Sequence, residues 1–313
     1  MINRHHLRVK LLQWIFASRQ QGQDDYTLVT QQFQNSATLS LRSLVMAFVL
    51  LERLMQYANL RDEERSGKLL ERNRQTGPGH ALAHHPLAEL LENDPLYRKA
   101  LQLCAVEHLE VTSDMLRALF DHINEGKCAG NKIGFEELRE ITGIKLIFEK
   151  CIASGDWYSP WQSEHNLYWD SDRYLIDRQV LQILMKLSEG EGFPDAQGIL
   201  KAWQSDDRLV STMFKELLQD SSAYQAIIEA HTGQWDPERL ARVDFLILQM
   251  ACVELSLFPE IPVKVTINEY IELAKVYSTP QSAAFVNGLL DKIKADMQQK
   301  GLITKSGRGL VES

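Results

Sequence analysis

Arg4, His5, His6, Arg8 and Lys10 crowd the first ten residues of a chain that carries a net charge of -8 over 313 residues. No acid precedes Asp24. Arg4 and Arg8 stand one helical turn apart, and Leu7, Leu11, Trp14 and Ile15 form an apolar stripe beside them, so residues 3–20 read as an amphipathic helix. The chemistry open to such a cluster is binding rather than bond-making. Cations held in a row neutralise phosphates, and His5 and His6 add charge below about pH 6.5. Taken by itself, a cluster of this kind is more often the solvated face of a packed helix.

The other residues with chemical reach point away from catalysis. His80 and His84 have the i,i+4 spacing that suits a metal on a helix. The flanking Gly77-Pro78-Gly79 argues against a helix there, however, and no carboxylate or third histidine sits at ligand spacing, so no metal site is expected. Cys104, Cys128, Cys151 and Cys252 are dispersed with no CxxC pair, which reads as reduced thiols without zinc. Trp157, Tyr158, Trp161, Tyr168 and Trp169 cluster within Ser154–Asp172. Asp156, Asp170 and Asp172 stand among them and would repel a phosphate backbone, so these aromatics are expected to pack a loop onto helices rather than stack bases. There is no GxSxG, P-loop or GxGxxG, and the carboxylates are scattered over helix faces. The chain reads as a non-enzyme with no cofactor.

The elements that must position these residues are helical throughout. Hydrophobic residues make up 44% of the chain, enough for a sizeable core in one or two domains. The longest apolar run, Leu44–Leu51, falls far short of the roughly 20 residues of a membrane span, and Arg4, Arg8 and Lys10 interrupt the start where a signal peptide would be apolar. A cytoplasmic protein with no membrane partner is expected. After a polar stretch over 21–35, read as a loop, residues 36–59 form a helix whose middle is apolar all round. Residues 62–85 read as a charged loop, and 87–107, 112–124, 134–153 and 174–187 as further helices. The stretch 236–293 holds three more. Asp236-Pro237-Glu238 caps the first, a Thr266/Glu269 capping box opens the second, and Ser278-Thr279-Pro280 caps the third. The tail after Gly301 is polar and expected to fray.

The wording of that last stretch is specific. Arg242-Val243, Pro262-Val263-Lys264-Val265, Ile267-Asn268-Glu269, Ile271-Glu272-Leu273-Ala274-Lys275 and Phe285-Val286-Asn287-Gly288-Leu289-Leu290-Asp291-Lys292 resemble the C-terminal signature of the NusB family of bacterial transcription antitermination factors. The match is nearly gapless over about 60 residues and extends back through Asp207-Arg208-Leu209 and Phe214-Lys215-Glu216-Leu217-Leu218. The resemblance implies an all-α, NusB-like helical bundle built from 1–20 and 200–300. It leaves 21–199 as an additional inserted helical bundle, as in long forms from Bacteroidetes, and 301–313 as a flexible tail.

The resemblance also implies partners: boxA RNA, the ribosomal small-subunit protein NusE, and an RNA polymerase antitermination complex acting on ribosomal RNA operons. Arg4, Arg8 and Lys10 would then contact phosphates, with His5 and His6 standing where the family often has arginine. Phe285 matches an RNA-facing aromatic, and Gln281 precedes it where relatives often carry an acid. Phe16 and Asp244 match positions that meet NusE. Homodimerisation of the free protein is left open. The alternative reading is a helical protein-interaction scaffold in which RNA binding is lost or incidental.

Overall fold

The computed structural model describes residues 4–22, 26–66, 77–125, 137–205, 207–232 and 241–310. Among these residues no strand occurs, in line with the all-α expectation. The helices in chain order are α1 (Arg4–Gln21), α2 (Tyr26–Ser66), α3 (Pro78–Ala83), α4 (Pro86–Asn93), α5 (Pro95–Leu103), α6 (Ser113–Asn124), α7 (Ile141–Ile147), α8 (Tyr158–Ser163), α9 (Trp169–Ser188), α10 (Ala196–Ser205), α11 (Asp207–Phe214), α12 (Ser222–Thr232), α13 (Arg242–Leu257), α14 (Val263–Tyr277) and α15 (Pro280–Gln299). They divide into two compact units. One holds residues 34–204; the other joins α1 and the first residues of α2 to the described residues from 205 onward.

The division falls at 33/34 rather than at residue 20 because the polar stretch expected to be a loop is helical from Tyr26. Val29 and Phe33 are buried one turn apart, and Phe33 meets the Phe214 ring edge-on at 5.7 Å. Polar neighbours hide this two-residue stripe from any reading by composition. Beyond it, Leu44 to Leu51 are all buried, as a helix apolar on every side requires.

The unit of residues 34–204 has its own core, in which α2 packs with Leu87, Leu91, Phe120, Ile144, Phe148, Val180 and Leu184. The helix expected over 87–107 is broken in two at Asp94-Pro95. One oxygen of Asp94 caps α5 by accepting from the amides of Leu96 and Tyr97 at 2.7 and 3.1 Å. Its other oxygen accepts the Phe193 amide at 2.6 Å. The aromatic segment is packed as expected: Tyr158, Trp161 and Trp169 are buried, and Tyr158 meets Trp169 edge-on at 5.3 Å. Two buried amides fasten the segment to α2. Asn166 donates to the Ser43 hydroxyl at 3.1 Å, and Gln162 donates to the Ser43 carbonyl at 3.2 Å. Cys104 and Cys252 are free and buried, whereas Cys151 is disulfide-bonded, contrary to the expectation of four reduced thiols.

The tail does not fray as far as residue 310. The Ser306 amide donates to the Pro259 carbonyl at 3.0 Å, Lys305 donates to the Phe258 carbonyl at 3.0 Å, and a 3₁₀ turn follows over Gly307–Leu310. Gly309 is buried against the Pro259 carbonyl, where a Cβ would collide with the oxygen.

Two glycines should answer alanine in opposite directions. A Cβ at Gly143 would press on the backbone of Glu137 and Leu138, while one at Gly288, inside α15, meets nothing. Gly143→Ala should therefore destabilise by about 1–3 kcal/mol. Gly288→Ala should stabilise by roughly 0.4–1 kcal/mol, through the helix and unfolded-chain entropy terms. Urea midpoints of the two variants check both signs.

Candidate nucleic-acid interface

Leu7, Leu11 and Ile15 of the expected stripe of α1 are buried, Trp14 is half-buried, and Leu12 joins the buried face. The basic residues of the same helix then part company. Arg4 is exposed and His5 half-buried, but His6 is buried, and Arg8 and Lys10 are only 1% and 2% exposed. Arg8 therefore does not offer its charge to phosphates as expected. Its Nε and one terminal nitrogen donate to the two oxygens of Glu254 on α13, both at 2.8 Å. The same carboxylate accepts the hydroxyls of Thr266 at 2.9 Å and Tyr270 at 3.1 Å. Glu254 is fully buried and saturated by four donors. Burial opposes the Arg8 charge, but Glu254 outweighs it and pushes the guanidinium further above its ordinary range. Burial and then Glu254 drive the Tyr270 phenol well up, so it remains a donor. Lys10 is likewise withdrawn from solvent and corrected as a phosphate contact.

The capping box expected at Thr266/Glu269 does not form. α14 begins at Val263, behind Pro262, and both side chains are spent on partners distant in sequence. Thr266 serves Glu254. Glu269 meets His5 Nδ1 at 2.9 Å and lies 3.5 Å from Arg8. Burial pushes Glu269 up, but the hydrogen bond with His5 and the Arg8 charge prevail and hold it below the usual carboxylate range. Gln13 donates to the Tyr277 hydroxyl at 3.0 Å and continues the α1–α14 seam.

α15 follows directly. Thr279 caps it, accepting the Ser282 amide at 3.1 Å, as expected for the third helix. Gln281 is exposed and Phe285 half-buried. α13 starts at Arg242; the cap expected at Asp236-Pro237-Glu238 lies outside the described residues. Of the two residues expected to meet a protein partner, Phe16 is half-buried. Asp244, in the first turn of α13, is only 1% exposed, and its Oδ1 has no hydrogen-bond partner. Asp244 is thus a buried residue in this conformation and not a surface contact.

Neither α1 nor α15 has an acid in its first turn, a property they share with α2, α12 and α14 of the same unit. The positive pole of a helix attracts anions, and Arg4 stands at that of α1. Among the described residues no helix is long and apolar enough to cross a membrane.

The family model described as NusB family matches residues 178–295, from within α9 to α15, without α1. The curated relatives are named Transcription antitermination protein NusB. That of Salinibacter ruber is 44% identical over 99 residues, 32% of this chain and 62% of the relative. That of Chloroherpeton thalassium is 38% identical over 100 residues, 32% of this chain and 47% of the relative. That of Methylacidiphilum infernorum is 33% identical over 134 residues, 41% of this chain and 94% of the relative. The chain belongs to the NusB family. No solved structure matches it. The chain spans less than two thirds of the length of the Salinibacter and Chloroherpeton relatives.

This NusB family member is a long form, and the residues that organise its NusB-matched part were only partly visible beforehand. Glu254 was missed. Its signal was present in the sequence: an acid within Met250-Ala251-Cys252-Val253-Glu254-Leu255 must find a cation if that helix is buried. Arg19 was missed as well. It spans to Gln249 at 2.6 Å and to the Leu217 carbonyl at 2.7 Å.

Removing one member of a buried, hydrogen-bonded ion pair strands the other. Arg8→Ala should therefore cost about 3–5 kcal/mol, and Arg8→Lys, which keeps charge but loses the fork, should cost less; urea unfolding measures both. Because the folded-state pKa of Glu269 is depressed, its contribution is full above the ordinary value of 4.5 and is lost as pH falls through the lower folded value. Wild type should lose stability below about pH 4.5 more steeply than Glu269→Gln, as read by unfolding midpoints between neutral and acid pH.

Proposed function

We propose that this chain is a transcription antitermination factor that binds boxA-type RNA together with NusE and joins RNA polymerase on ribosomal RNA operons in the cytoplasm. The observation that carries this reading is the 33% identity to a protein named Transcription antitermination protein NusB over 94% of that protein's length. No catalysis is required. Arg4, with His5, Gln281 and Phe285, is the set that the reading assigns to RNA. Arg4 and Gln281 are exposed, His5 and Phe285 half-buried, and the helices that carry them begin without acids. Phosphate contacts from Arg4 would position the strand, and Phe285 would stack a base. Arg8 and Lys10 take no part in this version. Phe16 carries the proposed NusE contact, since Asp244 is buried.

The withdrawal of His6, Arg8 and Lys10, three of the five basic residues at the start of α1, favours the second reading, a protein-interaction scaffold, enough to make it the other arm of the test. Fluorescence anisotropy with a boxA RNA, with and without NusE, separates the two. Under the RNA reading, Arg4→Ala weakens binding and flattens the slope of log affinity against log salt by about 0.7, the value of one phosphate contact on a single strand. Phe285→Ala weakens binding by roughly 1–3 kcal/mol. Arg8→Lys, once shown to be folded, leaves the slope unchanged. Wild-type protein that binds NusE but no RNA would establish the scaffold reading in its place. Phe16→Ala should weaken NusE binding in either case.

A further inference from the structure

Outside the NusB-matched region, three ligating side chains converge in the unit of residues 34–204. His80 lies in α3, His84 is its C-terminal cap residue, and Asp62 belongs to the last turns of α2. The loop expected over 62–85 is helical at both ends, and this is what brings the three together. The hydrogen bond from the His84 amide to the His80 carbonyl, 3.2 Å, closes the turn and sets the two imidazoles side by side, with centroids 4.5 Å apart. One carboxylate oxygen, Asp62 Oδ2, lies 3.0 Å from His80 Nδ1 and 3.1 Å from His84 Nε2. All three ligand atoms lie within 4.8 Å of one another. The absence of a carboxylate at ligand spacing, on which the expectation of no metal rested, is thereby corrected: the carboxylate is supplied from 18 residues away.

We propose that Asp62, His80 and His84 form a binding site for a divalent transition-metal ion of the zinc class, with the remaining coordination positions left to water. Two imidazole nitrogens and one carboxylate oxygen are the donor set that such ions take in preference to magnesium or calcium. Bonds of about 2.0–2.1 Å around one ion give ligand–ligand edges of roughly 3–3.4 Å, so the two nitrogen–oxygen separations need to adjust by a few tenths of an ångström at most. The α3 side of the site is held in place beforehand. The Gly79 amide donates to Asn124 Oδ1 at 2.8 Å, and a Cβ at Gly79 would strike Phe120 and Asn124. On the α2 side, Arg61 pairs with Glu64 at 2.7 Å and so leaves Asp62 to the two imidazoles. An ion here clasps α3 to the end of α2. Since His84 is 56% exposed, the site is open to exchange with solvent.

The test uses the full chain after removal of metal with a chelator. Titration calorimetry with zinc chloride should give one equivalent bound, and cobalt(II) should give the visible absorption of a nitrogen-and-oxygen-ligated ion. Magnesium should give neither. His84→Ala, His80→Ala and Asp62→Asn should each weaken zinc by more than the roughly 10–100-fold lost when an outer-shell partner is removed, while zinc should raise the thermal midpoint of wild type alone. His84 is exposed enough that its variant will fold, and circular dichroism confirms helicity for all three. Absence of zinc binding by wild type would overturn the proposal and leave the cluster as hydrogen bonds only. So would an equivalent retained at full affinity by His84→Ala and Asp62→Asn, which would place the ion on other residues.

Discussion

A guanidinium and a carboxylate, both sealed from water, set the terms for the NusB-matched part of this protein. Taking either charge out of solvent alone is prohibitive, and even the pair is neutral to stability at best unless every lone pair and proton is met. Here they are met. Arg8 presents a fork to both oxygens of Glu254, and Thr266 and Tyr270 fill what remains. Three helices are thus held in one register by a single carboxylate, because any slide of α1, α13 or α14 would leave a buried donor or acceptor unmet. The bond joins residues 246 apart in sequence, so α1 belongs to the same unit as the helices near the other end of the chain.

This interaction also marks where sequence reasoning succeeded and where it failed. Periodicity finds helices whose apolar face is dense, so α1, α13, α14 and α15 were legible, as was the Thr279 cap, whose bonds are local. The two failures share a cause. Arg8 and Lys10 looked like a solvent-facing patch, and Thr266 with Glu269 looked like a helix start. For Arg8, Thr266 and Glu269 the polar group's partner sits on another element, and one-dimensional spacing carries no trace of it. The same holds for Asp62 with His80 and His84. A ligand set read along the chain needs its members at helical spacing, whereas here the third member arrives from a different helix.

The unit of residues 34–204 follows a different logic. Two of its polar contacts to α2 join neutral groups, Ser43 accepting from Asn166 and Gln162, and a third goes to a carboxylate, Ser40 donating to Asp172 at 2.6 Å. Each lets a helix crowded with apolar residues bury a serine without cost, since the hydroxyl or carbonyl is matched. The aromatic segment is a lid on that helix. Its acids, which argued against a phosphate backbone, include one, Asp172, that is itself a buried hydrogen-bond partner.

The long sequence separation of the Arg8–Glu254 bond has a consequence for biogenesis. Translation proceeds at about 5–20 residues per second, so on the order of ten to fifty seconds pass between synthesis of α1 and synthesis of its acid on α13. Throughout that interval every residue of the unit spanning 34–204 emerges, and this unit can condense around its own apolar centre while α1 waits. α1 is therefore made before the helices it packs against and is committed only after them. On the nascent chain its cations stand beside an apolar stripe that has no partner until the carboxylate arrives.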